Sequence, residues 1–185
     1  MNMLKENIVI LRDQDQDLAA RILEVSGGTL SIQTAKSGMP TALANSRYLH
    51  SAYDPVREAD RWAQQRIKDC QTGETIVVLG VGLLYHVQAL RQMLSHEHVI
   101  MVVVPDLSEL ADCVSVRSLE GWGDRVMWMA GSMADVATQV TEKVKRIRIL
   151  SYEPAAAVHH DAYESFRMQL RDRLVDQFLA VRHDQ

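Results

Sequence analysis

Two short stretches hold the residue types that could do chemistry. The first, "VVLGVGLLYH" at 77–86, ends an apolar run with Gly80 and Gly82 and sets Tyr85 and His86 at a helix mouth. A glycine turn between strand and helix lets a phosphate approach the helix N-terminus, where free N–H groups favour negative charge. Gly80 and Gly82 supply two glycines of a GxGxxG turn, but Tyr85 stands at the third place, so that fingerprint is incomplete. Asp106 ends the next apolar run, 24 residues after Gly82. In dinucleotide and S-adenosylmethionine binders a carboxylate near that place accepts hydrogen bonds from a ribose. Yet Asp106, followed by "LSEL", also has the form of a helix N-cap. A nucleotide-type ligand and a bare structural turn are both open here.

The second stretch is "LHSAYDPVREADRW" at 49–62. Asp54 before Pro55 opens a helix: the carboxylate accepts orphan N–H groups, and proline tolerates the first helical position. Glu58 adds negative charge near the positive end of the helix dipole. Capping therefore accounts for Asp54, Pro55 and Glu58. It leaves His50 and Tyr53 unexplained, either as ligand contacts or as rings packed on strand ends.

The elements that must position these residues alternate. "TIVVLGVG" (75–82) and "HVIMVVVPD" (98–106) are apolar on both faces, as buried parallel strands are. Further strands are expected at 125–130 and 146–152, with helices near 55–69, 84–95, 107–117, 133–144 and 160–181. In the last helix Ala162, Phe166, Leu170, Leu174 and Phe178 form one apolar stripe. This alternation implies an α/β, Rossmann-like fold, its mostly parallel sheet flanked by helices. Residues 1–53 read as a small α+β lobe ahead of a Rossmann-like domain at 54–185. Within that lobe "NIVIL" (7–11) reads as a strand, "DLAARILEV" (17–25) as a helix, and "TLSIQTA" with "PTALA" as a β-hairpin. The acidic "DQDQD" at 13–17 reads as a solvated turn.

Other candidates carry less. His159 and His160 read as a solvated helix start without a companion at metal-ligand spacing, and no metal site is expected. Cys70 and Cys113 are far apart and lack a predicted base, which argues against a disulfide framework or a thiol nucleophile. Ser132 in "AGSMAD" reads as an N-cap, Met127, Met129 and Met133 as core filler, and Trp122 and Trp128 as packing on the sheet.

The two stretches together are more specific than either alone. "GMPTALANSRYLHSAYDPVREADRWA" followed by "VVLGVGLLYHVQAL" resembles the amino-terminal domain of the motility-associated Maf-type flagellin glycosyltransferases, relatives of a 6-hydroxymethylpterin pyrophosphokinase-like uncharacterised-domain family. His50, Ser51, Tyr53, Asp54, Pro55, Glu58 and Ala59 match that family's HS-x-YDP-x-x-EA segment, and Gly80, Gly82, Tyr85 and His86 match its glycine turn. "ILSYEPAAAVHHDAYESFRMQL" is similar to its strand, proline and long-helix ending. Leu84 departs from the pattern, standing where the family has another glycine. The resemblance implies an N-terminal module, excised or stand-alone, of an enzyme that transfers a CMP-activated nonulosonic acid to flagellin Ser or Thr. The module itself would organise that enzyme or hold flagellin, another partner or a downstream catalytic domain, without catalysing transfer. The resemblance fixes no cofactor; a nucleotide or CMP-sugar is the candidate ligand. It would lie where His50, Tyr53, Asp54 and Glu58 meet Gly80, Gly82, Tyr85 and His86, with Asp106 at the next strand end. The alternatives are a stand-alone nucleotide- or S-adenosylmethionine-binding enzyme and an assembly domain that forms homo-oligomers.

Composition sets outer bounds. At 185 residues the chain can bury a core without staples. A net charge of −4 with 24% charged residues argues against nucleic-acid or anionic-membrane binding. The N-terminal apolar run is four residues, and none approaches the roughly 18 a membrane span needs. Two cysteines fit a reducing compartment, so a cytoplasmic protein is expected.

Overall fold

The structure, a computed structural model, describes residues 2–183, with side-chain burial described through Gln177. Its centre is a four-stranded parallel sheet of β4 (Thr75–Leu79), β5 (Ile100–Val104), β6 (Val126–Ala130) and β7 (Ile147–Ser151). The spatial order is β6-β5-β4-β7. The chain thus steps outward from β4 to β6 and returns to β4's other side for β7. That reversal makes the crevice beyond β4 and β7 a topological switch point, where open α/β sheets bind ligands.

Both faces of the sheet are covered, which is why β4 and β5 are apolar throughout. Ile76 and Val78 face one cluster, shared with α3 (Pro55–Arg66), α4 (Tyr85–Met93) and α5 (Leu107–Val116). Val77 and Leu79 face a second cluster under α6 (Met133–Lys143) and α8 (His160–His183). Phe166 and Leu170 of the α8 stripe are buried there; Phe178 lies outside the residues whose side chains are described. The expected N-caps form: the side chains of Asp54, Asp106 and Ser132 accept from the backbone of Arg57, Ser108 and Asp135. Trp122 and Trp128 stack with centroids 6.2 Å apart, and the core takes in Met129.

The hairpin is present as β1 (Ser31–Thr34) against β2 (Pro40–Ala44), with Ile32 opposite Ala42. A third strand, β3 (Arg47–Tyr48), joins β2 through Asn45 and Ser46, both at positive φ, the geometry of a tight hairpin turn. The expected strand at 7–11 is instead the middle of α1 (Leu4–Gln14), followed by α2 (Gln16–Glu24). Asn7 explains the difference. Its buried amide donates to the carbonyls of Val114 and Arg117 and accepts from the N–H of Leu119, clamping the end of α5. Ile8 and Leu11 follow at helical spacing on the same buried side. Within "DQDQD", Asp15 is more than a solvated turn: it accepts from Leu18 N and caps α2. Residues on both sides of position 53, from Leu11 and Ala42 to Val78, share one apolar cluster.

Candidate functional site

The site is built outward from the turn after β4. Gly80 (φ +110°), Gly82 (φ +51°) and Leu84 (φ +62°) all lie at positive φ. A left-handed leucine costs roughly 1–2 kcal/mol, and here it is held by complete burial at the mouth of α4. A glycine would adopt this backbone freely.

His50, reached from β3, fills the hollow of that turn. Its Nε2 accepts the Leu83 N–H at 2.8 Å, which puts the ring proton on Nδ1. Burial first, then the neighbouring His86 and Arg117, hold its pKa well below the usual imidazole range. His86 has the opposite arrangement: Nε2 lies 2.7 Å from the Gly80 carbonyl and must donate to it. Burial lowers its pKa to about 4. Tyr152, from the end of β7, packs against both imidazoles, stacked on His86 at 4.2 Å and on His50 at 5.4 Å, while the two imidazoles stack on each other at 5.9 Å. Trp62 meets both His86 and Tyr152 edge-on. The Tyr152 hydroxyl donates to Glu58 at 2.8 Å, and the same carboxylate oxygen takes the Ser51 N–H at 2.9 Å. Burial and Glu58 both push the Tyr152 phenol far up. The stack is therefore uncharged at neutral pH.

A second carboxylate lies on the other side of the turn. Glu109, completely buried, accepts the Gly82 N–H at 2.7 Å through Oε1 and lies 2.6 Å from His159 Nε2 through Oε2. That bond is the main reason the His159 pKa rises, while burial opposes it. The solvated helix start expected for His159 is thus corrected: its side chain is 19% exposed and paired. A carboxylate that orients an imidazole is half of a general-base arrangement, and the other half needs a nucleophile in reach. Cys113, buried with its pKa pushed up to about 12, is not one.

The structure brings His50, Glu58, Gly80, Gly82, Tyr85 and His86 into one packed unit. It leaves three expected residues outside that unit. Tyr53 is 69% exposed and lines a surface groove along α3 with Arg57 and Arg61. Asp54 serves as the α3 cap. Asp106 caps α5 and accepts the Thr29 hydroxyl at 2.9 Å. The sequence reading missed Tyr152, Glu109 and His159, all supplied from more than 25 residues beyond the turn's first glycine. Its one available signal was the turn itself, whose inward N–H groups demand acceptors.

An open cleft over Gly80 and Gly82, the mark of a cofactor at this turn, does not form. A Cβ on Gly80 would lie 2.9 Å from the Tyr152 carbonyl oxygen, and one on Gly82 would lie 2.5 Å from His50 Nε2. Protein occupies the space where a phosphate would sit, through His50, Tyr152 and α7 (Glu153–Ala156). Gly82→Ala is accordingly expected to cost about 2 kcal/mol or more, from left-handed strain plus displacement of His50. Urea unfolding checks this; a variant as stable as the parent would mean that His50 does not hold the turn.

No family model matches the chain, and neither does any curated protein. Among solved structures it is similar to the MAf glycosyltransferase from Magnetospirillum magneticum AMB-1, with a TM-score of 0.57 and 13% identity. The likeness covers 94% of this chain and 35% of that one, so the chain spans about a third of the glycosyltransferase. No described helix is long and apolar enough to cross a membrane, and no group of three or more potential metal ligands occurs among the described residues. At that identity the likeness establishes the fold alone, a Maf-like α/β unit of Rossmann-like build.

Proposed function

We propose that this chain is the amino-terminal module of a Maf-type protein glycosyltransferase acting in flagellin O-glycosylation with a CMP-activated nonulosonic acid. The module binds acceptor or partner and lacks the transfer site. The carrying observation is the filled switch point: His50, Tyr152 and Ala155 take the space a donor nucleotide would need. A fold likeness covering nearly all of this chain and a third of the neighbour supports a module of a larger enzyme.

The test pairs two titrations of the purified chain. Thermal shift is measured with CMP, CMP-sugars, ATP, GTP, S-adenosylmethionine and NAD, and binding of unglycosylated flagellin by calorimetry. The reading expects flagellin to bind and no nucleotide to shift the transition. A ligand specific to the folded state at a hundredfold excess over its Kd adds about 2.7 kcal/mol, so a real site would be visible. A shift with one nucleotide, abolished in Gly82→Ala, would overturn the module in favour of a stand-alone Rossmann-like enzyme.

A further inference from the structure

Arg117 closes the C-terminal end of α5 and is 7% exposed. A guanidinium does not give up its charge in a protein, so burial must be compensated where it sits. Among the described residues no carboxylate lies within ion-pair distance of it. The two acids on the preceding turns of α5 are already engaged. Glu109 serves Gly82 and His159, while Asp112 takes the N–H groups of Gly28 and Leu30 at 2.8 Å each. Arg117 is left with the face of Tyr85, 3.7 Å away, and one neutral acceptor, the Gln88 side-chain oxygen. Cation–π contact and an amide offset only part of the desolvation of a full charge.

Arg117 is also one of the residues lining a groove of about 410 Å³ on the α4–α5 side of the molecule. Met39, Val56 and Val116 give it apolar walls, Gln88 and Gln92 supply amides, and Asp60 is its one acid. We propose that the groove binds a small organic monocarboxylate. The carboxylate takes the planar fork of Arg117 and the apolar body lies between Met39, Val56 and Val116. A bidentate carboxylate supplies the counter-charge that the fold withholds. One buried cation matches one negative charge, and Asp60 in the same groove opposes a second, which disfavours phosphate. This groove adjoins the filled turn through Tyr85, and the proposal stands whichever partner the module serves.

The experiment is a ¹⁵N NMR titration of the full chain with benzoate, benzamide and inorganic phosphate. Benzoate is expected to shift the amide signals of Gln88, Val116 and Ser118 saturably. Its neutral isostere and phosphate should bind at least about tenfold more weakly, the loss of one charge-assisted pair. Arg117→Met is expected to abolish the benzoate shifts. Because that variant removes a buried side chain, Met39→Trp provides a second block: Met39 is 38% exposed and lines the same groove, so a bulkier indole there narrows it while leaving Arg117 in the sequence. Loss of the benzoate shifts in Met39→Trp supports the site. Equal response to benzoate and benzamide, no saturable shift at those amides, or unchanged binding in Met39→Trp would overturn it.

Discussion

Glu109→Ala is expected to destabilise the protein by about 2–4 kcal/mol, the cost of leaving a buried N–H without its acceptor together with the loss of a bond to a charged group. Two groups lose their acceptor at once. The Gly82 N–H is left unpaired between Val81 and Leu83, both fully buried, where water does not replace the carboxylate. His159 loses the carboxylate that orients it and raises its pKa. Glu109→Gln separates these effects. The amide oxygen still serves Gly82, but the amide nitrogen now faces His159 Nε2 and suits only a neutral imidazole. The sign of the pH dependence follows. A pKa raised above the ordinary 6.5 means the native pair contributes fully below that pH and less as pH rises through the folded value. The stability gap between parent and Glu109→Gln should therefore be widest near pH 6 and narrow by pH 9. Urea unfolding at both pH values measures it. A Glu109→Ala variant within 1 kcal/mol of the parent, on the order of one ordinary hydrogen bond, would show that the carboxylate does not hold the turn.

Sequence alone exposed the features encoded by neighbours in the chain. β4 and β5 were legible because a strand covered on both faces must be apolar at every position, and Ile76–Leu79 is. The α3 start was legible because capping acts within one turn, from Asp54 to Arg57. What failed depends on distant partners. "NIVIL" has a strand former's composition, and only the carbonyls of Val114 and Arg117, more than a hundred residues away, make Asn7 a helical clamp. Glu109 reads as one more residue of "LSEL" until Gly82 requires an acceptor. His50 and Glu58 stood out by type, but their roles come from Leu83 and Tyr152, on other elements. The two segments that carry the family resemblance pack together, with His50 in the hollow beside Gly82 and edge-on to Tyr85.

Lowering the pH from 6.5 to 4 is expected to destabilise the protein through its imidazole stack, by about 3 kcal/mol from His86 alone. The fold holds His86 at a pKa of about 4, against an ordinary 6.5 in the unfolded chain. Between those values the unfolded state takes up a proton that the native state refuses, and stability falls by about 1.4 kcal/mol per pH unit. His50, also held neutral, acts in the same direction; His159, whose pKa is raised, already contributes fully below pH 6.5 and does not offset the loss. His86→Phe isolates the effect. Phenylalanine keeps a ring against Tyr152 and Trp62 but loses the bond to the Gly80 carbonyl, at a cost of about 1 kcal/mol. It also removes a buried Nδ1 that has no partner among the described residues. The variant should be the less stable protein at pH 8 and the more stable one by about pH 4.5, with urea midpoints crossing in between. Parallel midpoints would sink the idea. The crossing would also explain why two buried histidines persist there. The turn presents a donor, Leu83 N–H, and an acceptor, Gly80 C=O, to one dry space. Imidazole meets either one with the same flat ring by choosing its tautomer. Two copies in opposite tautomers satisfy both while still stacking on Tyr152, at the expense of stability in acid.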